Sequence, residues 1–282
     1  MRAPRPALPP SLRPEEAVPT LAAIFVVFHL GVWLLSPLAG TWAVAMAQWL
    51  FIALPVLVLV RLRGLSPVEA LRLDPPPAHV WAPVTLLSLG VIGGAALYMA
   101  LQAAALSGFE WYRHQMERFS EVLDAATLGH LLGLLVSIAL TAAVCEELLF
   151  RGHLLRSLEP ALPRAPLCLA SGLLFGLFHA NLLQLVPAVA IGAVLAWVAL
   201  ATQSLWPAVL MHFLFNAATL LSRSLIARGA VGEDSPVMAG VAVALAVIGL
   251  PLGALWLRRL DAGPPSSISG PRLTTHPQGD TP

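Results

Sequence analysis

The sequence predicts an all-α polytopic membrane protein with about eight transmembrane helices and both termini in the cytoplasm. Hydrophobic residues make up 58% of the 282 residues and charged residues only 11%, whereas soluble domains average about 45–50% and 25%. Apolar runs of about 20 residues, the length that crosses a bilayer, recur along the chain. The composition excludes a secreted disulfide scaffold and a disordered chain, and the net charge of +1 excludes a nucleic-acid binder.

The predicted spans are apolar runs that begin and end at Pro, Gly or charged residues. The fifth and seventh are near the lower length limit and could be tilted, broken or re-entrant. We interpret the first as a retained helix, because Glu15 and Glu16 separate it from the preceding arginines. The eight runs are 20–38, 41–60, 80–106, 129–150, 165–181, 183–202, 205–222 and 236–257.

Orientation and connections follow from the charges between the runs. With eight spans, twelve of the sixteen arginines fall on one side, which predicts that both termini are cytoplasmic. Residues 108–127 mix aromatic and acidic side chains, so we expect a short amphipathic helix on the outer interface. The tails 1–19 and 263–282 are rich in Pro and are predicted to be disordered.

Two acidic residues lie where a membrane protein should not have them. Thirteen of the fifteen acids fall in loops or tails, but Glu146 and Glu147 lie in the fourth run, where a carboxylate costs about 2.5 to 3.5 kcal/mol. Glu147 and Arg151 have i, i+4 spacing, which predicts a helical ion pair. Glu146 projects about 100° away and has no local partner. An unpaired intramembrane acid of this kind indicates a functional residue.

Two later runs carry polar residues that could meet Glu146. Phe175 and His179 share one helix face in the fifth run, and His212 and Asn216 share one face in the seventh. By rise per residue, His179 is nearer the opposite membrane face than Glu146, which requires a tilt or a boundary error. Cys145 and Cys168 are expected to be small buried residues, and the other histidines are discounted: His29, His79, His114, His130, His153 and His276.

One acid, two imidazoles and a carboxamide can hydrolyse an amide or ester. Carboxylate and imidazole can activate water, while imidazole and amide N–H groups can stabilise an oxyanion. Glu146, His179 and His212 could alternatively bind catalytic Zn²⁺. The sequence lacks the common zinc-protease motif His-Glu-x-x-His. It also lacks the nucleophile motif Gly-x-Ser-x-Gly, which argues against covalent serine catalysis.

Three motifs of the chain resemble those of the CPBP intramembrane protease family, which includes type II CAAX prenyl endopeptidases and bacterial processing and immunity proteins. They are Glu146-Glu147-x-x-x-Arg151, Phe175-x-x-x-His179 and His212-x-x-x-Asn216, over roughly residues 130–225. The resemblance implies that Glu146 and His179 activate water and that His212 and Asn216 form the oxyanion site. It also implies that Glu147 and Arg151 support the site.

We divide the chain into a disordered tail (1–19), N-terminal membrane helices with the outer loop (20–128), a catalytic CPBP-like core (129–225) and a last helix with a disordered tail (226–282). The resemblance covers only the core. It implies an intramembrane endopeptidase with a membrane-associated protein or peptide substrate, in contact with the lipid bilayer and not with nucleic acid. We expect a multi-pass protein of a bacterial cytoplasmic membrane.

We favour a glutamic-type reaction that requires no cofactor, since Glu147 is committed to Arg151. A Zn²⁺-dependent reaction is the alternative. Two other functions stay open. A non-catalytic immunity or binding protein could share the scaffold, and a proton-coupled transporter would also carry intramembrane Glu and His.

Overall fold

The computed structural model describes residues 12–261 except 126, 233 and 234, and these residues form helices and no strands. In four places, consecutive helical segments follow one another without a break, and each such run is described as one helix. The helices are α1 (Pro14–Ala39), α2 (Ala43–Leu62), α3 (Ala78–Leu106), α4 (Glu110–Leu123), α5 (Leu128–Leu158), α6 (Arg164–Phe178), α7 (Leu182–Thr202), α8 (Trp206–Ala227) and α9 (Pro236–Arg259).

The prediction of an all-α polytopic membrane protein is confirmed, with one correction to the spans. Seven helices in the described part of the chain are long and apolar enough to cross a membrane. The fifth predicted span, 165–181, is instead the 15-residue helix α6, about 22 Å long against a hydrocarbon core of about 30 Å. The helix ends at Phe178 because the chain turns at Ala180, whose φ of 48° is incompatible with a continued helix.

The first helix begins at Pro14, six residues before the predicted start of the span. Proline favours the first turn, and Glu15 and Glu16 complement the helix dipole there. Glu16 forms an ion pair with Arg63, which follows α2. Residues 14–19 are therefore helical rather than disordered, while residues 1–11 and 263–282 of the predicted tails lie outside the described residues.

The loop after α3 contains the amphipathic helix that the sequence predicts, α4. Its C-terminal end is held against α8, where Arg223 donates two hydrogen bonds to Asp124 at 2.8 and 3.0 Å. Ser224 adds a hydrogen bond to the carbonyl oxygen of Ala125 at 2.7 Å. These contacts fix α4 beside the helix that carries His212 and Asn216. Its place on the outer interface, like the orientation of the termini, stays a prediction.

Glycines let α6 and α7 pack as a close antiparallel pair. A Cβ atom on Gly172 would lie 2.6 Å from the carbonyl oxygen of Val189, and one on Gly192 would lie 3.0 Å from the side chain of Phe175. Only glycine permits this backbone approach. The close packing places Phe175 and the end of α6 against the acid-bearing helix α5.

Helix α5 departs from regular α geometry on both sides of its two acids. The α segment Thr141–Glu147 lies between the π segments Leu135–Leu140 and Leu148–Leu154. The Thr141 hydroxyl donates to the carbonyl oxygen of Val136 at 2.8 Å, five residues back. Such π segments are common at functional sites because they turn the following side chains relative to a regular helix.

Candidate active site

Glu147 is the centre of a buried network of charged groups. Its side chain is 0% exposed, and its Oε1 atom accepts a hydrogen bond from Arg151 Nη1 at 2.8 Å. The same oxygen accepts from His212 Nδ1 at 2.9 Å. Arg151 Nη2 donates to the carbonyl oxygen of Gly192 at 2.7 Å, which ties the network to α7. Glu147 thus has a cationic partner and also holds the His212 ring.

Phe175 packs against this network and against both imidazole rings of the site. Its ring centroid lies 4.7 Å from the Arg151 guanidinium carbon, within the range of a cation–π interaction. The ring also lies edge-on to His179 and His212, at centroid distances of 4.8 and 5.6 Å. Phe175 therefore contacts both imidazoles, and it limits the positions that their rings can take.

Glu146 faces a different direction from Glu147, as the 100° step between them predicts. Its Oε1 atom accepts a hydrogen bond from Gln48 Nε2 on α2 at 2.7 Å. Its Oε2 atom is buried, has no hydrogen-bond partner among the described residues, and lies 4.0 Å from His212 Nε2. Glu146 therefore keeps one oxygen available for a ligand or a water molecule.

Gln48 is the contact of Glu146 that sequence reasoning missed. It lies 98 residues from Glu146 in the chain, so no local spacing connects the two. A signal was nevertheless present, because residues 43–60 contain one amide side chain and otherwise only apolar residues. A lone amide in a membrane span needs a hydrogen-bonding partner elsewhere in the fold.

His179 follows the last residue of α6, where its backbone position still continues the helix. Its Nδ1 atom lies 2.8 Å from the carbonyl oxygen of Phe175. A carbonyl oxygen only accepts, so Nδ1 carries the proton and Nε2 has a lone pair in the neutral ring. The chain then reverses at Asn181, whose side chain accepts from Leu183 N at 2.9 Å and begins α7. His179 can therefore act as a base or a ligand through Nε2.

The contact with Glu147 also fixes how His212 can act. Because a carboxylate only accepts, His212 Nδ1 carries a proton, and Nε2 is the ring atom left to act. In the neutral ring Nε2 is an acceptor, and in the imidazolium it is a donor. His212 can donate to an oxyanion through Nε2 only when its ring is charged.

One cavity of about 310 Å³ is lined by Glu146, His179, His212 and Asn216. The structure thus brings all four predicted site residues to the same space, although they come from α5, α6 and α8. Asn216 lies one turn after His212 on α8, and Gln48 also lines the cavity. Much of the remaining wall is apolar and includes residues of α1, α3 and the amphipathic α4: Phe28, Met99, Met116, Phe119 and Leu123.

His29, which the sequence analysis discounts, also lines this cavity. Its Nδ1 atom lies 2.9 Å from the carbonyl oxygen of Phe25. The sequence does not indicate this position because it arises from tertiary packing: α1 packs beside the end of α6, where the His29 ring lies 5.9 Å from the Phe178 ring. Cys145 and Cys168 are free and buried, as expected for small packing residues.

The donors expected for zinc do not form a ligand set in this structure. Within residues 12–261, apart from 126, 233 and 234, no three His, Cys, Asp or Glu side chains are grouped so that they could hold a metal ion. One oxygen of Glu146 and His212 Nδ1 are each occupied by a neighbouring side chain.

Comparison with known proteins identifies the family of the acid-bearing core. Residues 128–218 match the model of the type II CAAX prenyl endopeptidase Rce1-like family, a segment that contains all three motifs. No curated protein and no solved structure matches the chain. The protein is a multi-pass integral membrane protein, and the motif-based recognition is confirmed for residues 128–218, the segment that matches the Rce1-like family of type II CAAX prenyl endopeptidases.

Proposed function

We propose that the protein is an intramembrane endopeptidase that hydrolyses a peptide bond of a membrane-associated substrate with water activated by Glu146 and His179. One observation carries the proposal. The buried Oε2 atom of Glu146 has no hydrogen-bond partner among the described residues, and Glu146 lines the cavity that also contains His179, His212 and Asn216. The Rce1-like segment, which belongs to a protease family, supports the same conclusion.

The reaction begins with a water molecule between Glu146 Oε2 and His179 Nε2. Glu146 takes a proton while the water oxygen bonds to the carbonyl carbon of the substrate, and His179 Nε2 accepts a hydrogen bond from the same water. The carbonyl oxygen becomes an oxyanion. Glu146 then gives its proton to the amide nitrogen, the C–N bond breaks, and a carboxylic acid and an amine leave.

The oxyanion is stabilised by His212 Nε2 and the Asn216 carboxamide. For this role His212 is an imidazolium, and its ring lies 2.9 Å from Glu147 Oε1 and 4.0 Å from Glu146 Oε2. Arg151 balances the charge of Glu147. The site with His212 charged therefore has two anionic and two cationic side chains, and it is close to neutral before the substrate binds.

Cleavage can be tested with the purified protein in liposomes and an internally quenched peptide that ends in a farnesylated CAAX sequence. We expect time-dependent cleavage by the wild type and none by Glu146→Gln, with the products identified by mass spectrometry. An unprenylated copy of the peptide tests whether the lipid is needed. Absence of cleavage of either peptide would favour the non-catalytic binding or immunity function. The bacterial cytoplasmic membrane is the proposed location.

Asn216→Ala should lower kcat about 10²- to 10³-fold, because one of two oxyanion donors is lost. The residual activity should be measurable, since His212 still donates. Asn216 is half-buried at the cavity wall, so the variant should fold like the wild type. Ser222→Ala on the same helix removes a hydroxyl bonded to the Thr219 carbonyl and lies outside the cavity lining, so it is the control for helix stability. Equal kcat for Asn216→Ala and wild type would contradict the oxyanion role.

We propose that the reaction needs no metal ion, because Glu147 is committed to Arg151 and no three His, Cys, Asp or Glu side chains of the described residues are grouped so that they could hold one. A chelator should therefore leave kcat within about twofold of the untreated value. Metal analysis of the active protein should find less than one zinc per chain. Loss of cleavage with chelator and recovery with added Zn²⁺, together with stoichiometric zinc, would show a metalloprotease instead.

A further inference from the structure

Gln48 is a buried amide in an apolar membrane helix. Its side chain is 2% exposed, and it lies on α2, outside the segment that matches the family model. Burying an unpaired amide costs several kcal/mol, so the position needs a partner. The partner is Glu146, at 2.7 Å.

The chemistry of the pair decides which end of the amide faces the acid. An ionised carboxylate only accepts hydrogen bonds, so the NH₂ group of Gln48 must point to Glu146 Oε1. Hydrogen bonds to a charged acceptor are stronger than those between neutral groups. The contact therefore restrains the carboxylate more firmly than a hydrogen bond between neutral groups would.

The two oxygens of Glu146 are thereby made different. Oε1 is held by Gln48, while Oε2 has no hydrogen-bond partner in the described part of the chain and is left for the cavity. Without the amide, the glutamate side chain could rotate, and either oxygen could turn away from the water. A misplacement of a reacting group by about 1 Å can reduce a rate about 10²-fold.

We infer that Gln48 is a positioning residue for Glu146, whose amide NH₂ holds one carboxylate oxygen so that the other faces the reacting water. This role rests on the proposed peptidase function and adds to it a residue of the second helix. Gln48 acts through Glu146 and does not itself take a proton or bind the oxyanion.

Gln48→Met tests the inference, since it keeps most of the volume and removes the donor. With the farnesylated peptide in liposomes, we expect kcat to fall about 10- to 100-fold while KM stays within about twofold. The amount of folded protein is normalised by the yield of monodisperse protein after extraction, and binding of a non-cleavable copy of the peptide is measured separately. Gln203→Met is the matched control, because Gln203 donates to the carbonyl oxygen of Leu200 outside the cavity; its kcat should stay within about twofold of the wild type.

Gln48→Asn provides a second variant if the methionine protein does not fold. It retains a polar amide but is one methylene shorter, so its NH₂ group cannot reach Glu146 from the same backbone position. We again expect a lower kcat with an unchanged KM. Unchanged kcat in either folded variant would overturn the inference, and so would equal losses in kcat and in peptide binding, which indicate a packing role.

The same assay separates this inference from the proposed function. An active wild type and an inactive Glu146→Gln, combined with a fully active Gln48→Met, would overturn the role of Gln48 alone. A wild type that does not cleave, or a fully active Glu146→Gln, would overturn the proposed function and the role of Gln48 with it.

Discussion

Glu146→Gln should lower kcat about 10²- to 10⁴-fold and leave the protein folded. The substitution keeps the shape of the side chain and removes the oxygen that takes the proton from water. The new amide can still accept a hydrogen bond from Gln48, so the packing between α2 and α5 is retained. Single-turnover cleavage of the farnesylated peptide measures the loss of rate, and the thermal midpoint measures whether the variant is folded.

The matched control for this variant is Glu69→Gln. Glu69 is exposed in the short helix Pro67–Ala70 after α2, and the same chemical change there should leave kcat unchanged. A Glu146→Gln protein that retains kcat within about threefold of the wild type would contradict the mechanism. Loss of the thermal transition in Glu146→Gln would show that the acid is needed for folding rather than for water activation.

Arg151→Met should destabilise the protein by about 3 to 5 kcal/mol, because it leaves Glu147 as a fully buried charge without its arginine. The double change Glu147→Gln with Arg151→Met should be better folded than Arg151→Met alone. In the double variant no charge of the pair remains, and the amide carbonyl introduced by Glu147→Gln can still accept from His212 Nδ1. Thermal midpoints and the yield of monodisperse protein after extraction measure the difference.

Exposed pairs provide the comparison for this cycle. Glu117 lies beside His114 on α4, and both side chains are largely exposed, so Glu117→Gln should change the thermal midpoint little. Equal midpoints for Arg151→Met and the double variant would show that the pair is not structural. The double variant is expected to have low kcat despite its stability, because a neutral amide holds the His212 ring less firmly than the Glu147 carboxylate does.

Local spacing accounts for the contacts that could be predicted from the sequence. The 2.8 Å contact of Glu147 with Arg151 follows from their i, i+4 spacing on one helix, and so does the shared face of His212 and Asn216. Seven of the eight spans are also predicted correctly, because apolar length is sufficient to identify them. These features depend on chain segments of about 30 residues or fewer.

Contacts between distant helices could not be predicted in the same way. His212 lies 2.9 Å from Glu147, and Gln48 rather than an imidazole donates to Glu146. Which acid meets which partner depends on how each helix is rotated, and the π segments of α5 change that rotation. The end of α6 at Phe178, three residues before the predicted end of the span, has a similar origin, because the turn at Ala180 is a tertiary feature.

The short length of α6 has a consequence for the access of water to the site. It is about 22 Å long, while its antiparallel partner α7 is about 31 Å long, so the two helices differ in length by about 9 Å. Arg164 at one end of α6 and the non-helical backbone at 179–181 at the other both require polar surroundings. The bilayer must therefore be thinner beside α6, or water must enter the protein there. At the end of α6 that carries His179, either solution would bring water to the site, so the water consumed in the proposed hydrolysis would not have to cross the full hydrocarbon layer.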